Sequence, residues 1–352
     1  MLFDFFKKKT TSKEAEYNGT LPDTRPADEK AKDWLAEEVF APAPAKFRVA
    51  NNPNEWKRYQ IRNQDGSGSC VANTVAKMLE VKRTMAMGDS IKFSHAPIYI
   101  NRINKPSGGM VGVNALDLAK KLSSCRETDF PSEDMNDAQL DALKMPANYE
   151  DLNNLVKPTN YVILPIDFDY VASMIEQEGC AMIWVDTNRF CYQRDIPITG
   201  GKGGGVRHSI TGVDTVNYND VDYIVIDDSW GKFGQFNGQR LLSREFFKDA
   251  VFFCAVLTNF EYNVTDIAKF KPFYSPMKFG DRSPEIKRYQ DYLKAKGFFP
   301  TNAQSTGFFG NVTAKATYAF QIKYNVAPLS ELDALKGKRV GQKTLGVINN
   351  NL

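Results

Sequence analysis

The chain has 352 residues, enough for two domains and a sizeable core. Apolar content of 42% and charged content of 25% are those of an ordinary globular protein, and no run of about 18 apolar residues is present to cross a membrane. The net charge of +3 gives no reason to expect a nucleic-acid partner, but it is unevenly spread: from Phe270 onward 13 Lys/Arg face 5 Asp/Glu, an excess of +8 that leaves the remainder at −5.

The five cysteines, at 70, 125, 180, 191 and 254, are odd in number and lack CxxC spacing, which argues against a disulfide framework or a zinc site. No metal or cofactor is expected. The start, Met1-Leu2-Phe3-Asp4-Phe5-Phe6 followed by three lysines, is too short for a signal-peptide core, so the chain is expected to be made in the cytoplasm.

Residues 1–50 are polar, with Pro22, Pro26, Pro42 and Pro44, and read as an extended arm or short pro-like segment; only 31–40 suggests a turn or two of amphipathic helix. Residues 51–265 read as one α+β domain. Helical spacing follows Cys70, through Val71, Val75, Met78, Leu79 and Lys82, and recurs over 94–104, 113–122 and 170–178. Strand patterns cover 162–166, 181–186, 206–215, 222–226 and 252–257. A helical half followed by a strand-rich half is an α+β order, not alternating βαβ. Residues 266–276 form a linker. Residues 277–352 read as a small all-α unit of three helices, at 284–297, 313–326 and 342–349, with Phe298, Phe308 and Phe309 expected in its core.

Chemistry concentrates where Gly66-Ser67-Gly68-Ser69-Cys70 enters the first helix. A thiol in a first helical turn meets the positive end of the helix dipole and unpaired N–H groups, which favours the nucleophilic thiolate. The bland alternative is a small buried hydrophobe, the expected state of Cys125, Cys180, Cys191 and Cys254. A thiol nucleophile also needs a base, a group to orient that base, and oxyanion donors. The chain has two histidines. His95 lies at a helix start away from acids, and reads as a capping or solvent-facing residue. His208 lies 138 residues after Cys70 on a strand leaving the glycine-rich stretch 200–205, which lacks the phosphate-loop pattern. Asp228 follows at a strand end, and Gln64 precedes Cys70 by six residues.

Together these residues resemble the papain-like cysteine peptidases. Gln64 and Gly68-Ser69-Cys70 match the family's oxyanion glutamine and nucleophile. His208-Ser209-Ile210 resembles its histidine strand, and Asp228-Ser229-Trp230-Gly231 matches its Asn-Ser-Trp-Gly except at the first residue. Phe93-Ser94-His95-Ala96-Pro97, Gly179-Cys180-Ala181 and Gly231-Lys232-Phe233-Gly234 fit as well, so the resemblance covers about 55–260. It implies a two-lobed fold with Cys70, His208 and Asp228 as catalytic triad, Gln64 and the Cys70 N–H as oxyanion hole, and Gly68, Gly108, Gly109 and Trp230 beside the substrate. The departures are Asp228 for asparagine, Ser67 where many members carry a disulfide cysteine, Val71 for an aromatic, and a short N-terminal segment without the long pro-region helix pattern.

Residues 277–350 resemble the small peptidoglycan-binding domain of bacterial and phage wall hydrolases, through Phe279-Gly280-Asp281-Arg282-Ser283-Pro284, Thr306-Gly307-Phe308-Phe309-Gly310 and Val340-Gly341-Gln342-Lys343-Thr344. That resemblance implies a wall-polymer partner, which the basic charge suits, and a phage-type endolysin or virion component acting on wall stem peptides or wall proteins. The alternatives are a structural virion or wall-binding protein with a vestigial peptidase domain, and a transglutaminase-like acyltransferase.

Overall fold

The computed structural model describes residues 19–30, 33, 44–64, 66–88, 90–201, 205–262, 271–300 and 303–351. An arm carries β1 (Thr20–Leu21), α1 (Ala27–Lys30) and β2 (Arg48–Val49). The helical half follows as α2 (Cys70–Met87), α3 (Ala96–Tyr99), β3 (Met110–Val111), α4 (Gly112–Leu122), α5 (Asp137–Ala142) and α6 (Tyr149–Leu152). The second half runs β4 (Val156–Ile163), α7 (Phe168–Glu178), β5 (Ala181–Asn188), α8 (Arg189–Tyr192), β6 (Gly205–Tyr218), β7 (Val221–Asp227), β8 (Gln239–Leu242), α9 (Arg244–Ala250) and β9 (Val251–Tyr262). The C-terminal unit comprises β10 (Met277–Lys278), α10 (Pro284–Ala295), α11 (Asn311–Lys323), α12 (Leu329–Leu335), β11 (Arg339–Val340) and α13 (Gln342–Asn349). The expected α+β order of a helical lobe and then a β-rich lobe is observed, but the C-terminal unit, expected as three helices without strands, has a fourth helix, α12, whose single buried residue Leu332 leaves no periodicity to read, and an antiparallel β10–β11 pair. Apart from Asp33, the expected amphipathic stretch at 31–40 lies outside the described residues, as does the centre of the glycine stretch, 202–204.

The long sheet has the order β4-β9-β5-β6-β7-β8, antiparallel throughout, with β2 added parallel on β6. Strands run longer than their apolar cores suggest. β4 begins at Val156 because its polar residues Lys157 and Asn160 pair with Glu261 and Thr258 of β9 on a half-buried face. Conversely, the expected helix at 94–104 shrinks to α3. No helix among the described residues is long and apolar enough to cross a membrane.

Helix α2 positions everything else. Its spacing predicts one apolar face, yet all its residues except Thr84 and Met85 are buried. Its first turns pack against β6 and the main core, while Ala86 and Met87 at its end enter the core of the C-terminal unit beside Ile286, Tyr289, Leu293, Phe309 and Phe320. Gly88, with φ 82°, then stops the helix by returning its N–H to the Thr84 carbonyl at 2.9 Å. A helix enclosed on all sides must pair its polar side chains. Lys77 meets Glu80 at 3.1 Å and Asp227 at 3.0 Å, and Lys82 meets Glu178 of α7 at 2.6 Å.

Glu178 also pairs with Lys287 of α10, so one buried carboxylate ties α2 to the C-terminal unit. Within that unit Ser283 caps α10, accepting from the Ile286 N–H at 3.1 Å, and Pro284 occupies the first turn. Residues 271–276 are packed: Phe273 is buried, and its N–H and C=O both bond the Asn349 side chain at 2.8 Å. Phe309 is in the core and Phe298 packs against it, but Phe308 is 38% exposed under the Arg282 guanidinium, because the turn 306–310 points it outward.

Burial opposes the charge of Glu178, but Lys287 and Lys82 outweigh it and hold the carboxyl below its usual range. The stabilisation this pairing supplies is present above the ordinary carboxyl pKa and disappears as pH falls through the lowered one. Glu178→Ala, which strands two buried ammonium groups, is expected to cost about 3–5 kcal/mol in chemical denaturation. A loss of less than about 1 kcal/mol, the scale of an exposed pair, would show that the pairing does not hold the two units together.

Candidate active site

Cys70 is the first residue of α2 and is fully buried. The loop that delivers it is braced by side chains: Ser67 and Ser69 hydroxyls meet at 2.6 Å, Asn73 Nδ2 donates to Ser69 Oγ at 3.0 Å, and Asp137 accepts from the Gly68 N–H at 3.0 Å. Gly68 has no room for a side chain, since a Cβ there would lie 2.3 Å from the Gly109 nitrogen and 3.1 Å from the Gly108 carbonyl carbon. The structure therefore brings Gly68, Gly108 and Gly109 against one another at one wall of the site.

Gln64 is buried and joins two loops. Its Nε2 donates to the Ser67 carbonyl at 2.6 Å, its Oε1 accepts from Ser229 Oγ at 2.6 Å, and its N–H donates to the Ser229 carbonyl at 2.8 Å. Because Gly231 N–H also bonds the Arg62 carbonyl at 2.8 Å, the segment before the thiol runs as a short ladder against Ser229-Trp230-Gly231.

His208 lies on β6, opposite Val185 of β5, and the neighbouring Ser209 donates to Thr74 of α2 at 2.8 Å, fixing strand to helix. Its Nε2 bonds Asp228 Oδ1 at 2.8 Å. Since a carboxylate only accepts, Nε2 carries the proton there, and Nδ1 is left without a hydrogen-bond partner, while the nearby Cys70 favours the imidazolium. Trp230 covers the imidazole, ring centroids 4.8 Å apart and tilted 32°. Burial disfavours the His208 charge, but the Asp228 charge and hydrogen bond, together with Cys70, outweigh it and raise the pKa to about 9. Burial likewise works against Asp228, and His208 and Arg240 overcome it, lowering that carboxyl to about 2. Both shifts favour an ionised pair at neutral pH.

Two neighbours carry no sequence signal of their own. Tyr192 of α8 donates its hydroxyl to Asp228 Oδ2 at 2.7 Å, and Arg240 of β8 makes an ion pair with the same oxygen. Neither belongs to a motif. His95 corrects the expectation of a capping or solvent-facing residue. It is fully buried, caps nothing with its side chain, and contacts Ser132 Oγ through Nδ1 at 3.0 Å. Burial first, then Arg62 and Lys92, push its pKa down to about 3, so it stays neutral. Cys125, Cys180 and Cys254 are buried thiols pushed upward by burial, whereas Cys191 is half-exposed near Thr199.

The site is also occupied. β1 pairs parallel with β3, Met110 N–H donates to the Gly19 carbonyl at 2.8 Å, and Gly19 N–H donates to the Arg207 carbonyl at 3.1 Å. A Cβ placed on Gly19 would lie 2.2 Å from Cys70 Sγ, so the arm passes directly over the thiol. Sequence reading missed this contact, which a single glycine cannot announce.

The raised histidine pKa carries a sign. The stabilisation His208 gains from Asp228 is complete below 6.5 and is lost as pH rises through about 9; that of Asp228 is present above 3.8 and is lost as pH falls through about 2. The melting temperature is expected to fall more steeply between those upper limits in the wild type than in His208→Gln, as read by calorimetry across pH. Parallel curves would refute the ionised pair.

No protein-family model matches the sequence, and no curated protein is similar to it. Solved structures are. The chain is similar to xylellain, a cysteine protease from Xylella fastidiosa, with 18% identity and a TM-score of 0.55 over 68% of this chain and 95% of that one. It is similar to the clostridial cysteine protease Cwp84 after propeptide cleavage, with 16% identity and a TM-score of 0.53 over 66% of this chain; there it spans 63% of the other chain. Procathepsin L2 from the larval midgut of Tenebrio molitor gives 17% identity and 0.52, over 71% and 80% of the two chains. The part of this chain that bears Cys70, His208 and Asp228 has the papain-like fold.

Proposed function

We propose that the chain is a latent cysteine peptidase whose C-terminal unit attaches it to bacterial cell-wall polymer, as in a phage endolysin or a virion-associated lytic protein. The observation that carries the peptidase reading is the meeting of Cys70, His208 and Asp228, drawn from α2, β6 and the end of β7, in one buried cluster with Gln64 beside it. In this reading the thiolate attacks the carbonyl carbon of an amide, and the C=O electron pair moves to oxygen, held by the Cys70 N–H and the Gln64 amide. His208 gives its proton to the leaving nitrogen as the C–N bond breaks, leaving a thioester. Water then attacks with His208 taking its proton, the C–S bond breaks, and the acid departs. Asp228 keeps Nδ1 of the ring turned toward sulfur, and Trp230 shields the imidazole from water. Gly68, Gly108 and Gly109 leave a substrate backbone room to approach.

Latency is supported by Gly19, which uses two backbone bonds at the wall where an extended substrate would lie. Two of the similar proteins are described as a protease after propeptide cleavage and as a procathepsin, so an N-terminal segment that must leave is in keeping with both. Wall attachment is supported by the basic charge of the C-terminal unit and by a groove of about 330 Å³ on it, lined by Gln321, Glu331, Arg339, Gln342, Lys343 and Thr344. Substrates would be wall stem peptides or wall proteins, with no nucleic-acid or membrane partner, and the site of action the wall after release or during entry of a virion. A closed cleft also fits a virion protein whose peptidase unit is vestigial, and the same assays separate the two.

Purified peptidoglycan and casein would be digested in parallel, with a thiol-directed epoxide to label Cys70. Cys70→Ala is expected to lose hydrolysis and labelling while still sedimenting with wall sacculi. Gly19→Val, which drives a side chain into the sulfur, should loosen the arm and speed labelling on the order of tenfold. Labelling of neither protein favours the vestigial reading, equal rates remove the latency reading, and failure to sediment removes the wall partner.

A further inference from the structure

Asp228 stands where the resemblance calls for asparagine, and the surroundings say why. Each of its oxygens is met by two donors. Oδ1 receives His208 Nε2 at 2.8 Å and the Ser229 N–H at 2.6 Å; Oδ2 receives the Tyr192 hydroxyl at 2.7 Å and Arg240 Nη1. An asparagine offers one accepting oxygen and one donating NH₂, so turning its oxygen to His208 would set NH₂ against the tyrosine and arginine donors. Only a carboxylate accepts on both sides.

Arg240 is itself committed. It is fully buried on β8, opposite Ile226 of the strand that ends at Asp227, and its guanidinium sits 4.9 Å from the Tyr192 ring, 5.2 Å from Phe233 and 5.6 Å from Trp230. Among the described residues Asp228 is the one carboxylate it bonds, while Nε and Nη2 have no oxygen or nitrogen partner. A buried cation with one counter-ion is stranded when that counter-ion goes.

We propose that Arg240, with Tyr192, is a positioning residue for the Cys70–His208 pair: it balances Asp228 from behind, so that a carboxylate can orient the imidazole without a net buried charge. This inference rests on the peptidase reading for its catalytic meaning, though not for its electrostatics. The charged or titratable groups that face the imidazole and its partner are Cys70 from α2, Tyr192 from α8, Asp228 after β7 and Arg240 from β8, with Asp195 acting on Arg240 from the loop after α8. Arg240 therefore restrains the field of Asp228 at His208.

The chain has two histidines, so ¹⁵N-histidine labelling of the full-length protein gives two titrations to follow. His95 serves as the internal reference, buried and neutral. Arg240→Gln is expected to move the His208 midpoint upward, Asp228→Asn to move it downward, each by about one unit or more, and the double variant to fall between. Where peptide hydrolysis is measured, the alkaline limb of kcat/KM should move with the midpoint, and the double variant should recover at least about tenfold of what Asp228→Asn loses, because it no longer strands a buried cation. A merely structural Arg240 would alter stability and leave the midpoint in place, which overturns the proposal. If Arg240→Gln does not fold, Asp228→Asn is compared with the double variant, and failure of the second change to restore thermal stability or rate overturns it equally. A wild type that cleaves no peptide, with midpoints moving as stated, removes the peptidase reading and leaves the coupling standing.

Discussion

Enclosing a charged helix is the constraint on which this structure turns. Helix Cys70–Met87 carries Lys77, Glu80, Lys82 and Arg83, yet each of these is buried. A buried ammonium without a partner costs several kcal/mol, so the fold is obliged to bring carboxylates to it from outside the helix. Asp227 arrives from the sheet and Glu178 from the helix Phe168–Glu178, and each places a neighbouring element. Asp227 is followed by Asp228, so the ion pair that satisfies Lys77 also sets the height at which the next carboxylate meets His208. Core packing and site geometry are two consequences of one set of pairings.

The same helix explains why the C-terminal unit is not a bead on a string. Its last turn supplies Ala86 and Met87 to that unit's core, and Lys82 shares Glu178 with Lys287. A unit built on the far end of the helix that bears the thiol is held at a fixed distance and orientation from it. On the proposed reading this trades reach for register: the wall polymer held by one unit presents only those bonds that lie at that offset.

What the sequence disclosed depended on whether a residue's role is written in its neighbours. Cys70 follows glycines and serines at a helix start, and Asp228 precedes Ser229-Trp230-Gly231, so their settings are local and readable. The strands around His208 declare themselves by apolar runs. Arg240 and Tyr192 do not, because a single polar residue in an apolar strand or beside a short helix looks the same whether it faces solvent or a buried carboxylate. His95 was misjudged for the same reason. Its burial comes from Ser132 and the chain around Cys125, some thirty residues away, which no local pattern contains. The full enclosure of Cys70–Met87 was equally hidden, since periodicity reports one apolar face and is silent on a face covered by another unit.

The arm shows how little specific chemistry is needed to close such a site. Gly19 contributes no side chain; it holds its place through its own N–H to Arg207 and its carbonyl from Met110. Two backbone bonds in exchange for water are worth about 1–3 kcal/mol together, too little for a free peptide to stay. What keeps the segment in place is tethering, which replaces a bimolecular encounter by a high local concentration, reinforced by the buried Thr20 and the contact of Asp33 with Tyr161. A lock of this kind is strong while the chain is continuous and weak once it is cut. On the proposed reading its opening needs no rearrangement of the site: the cluster of Cys70, His208, Asp228 and Arg240 is already assembled beneath it.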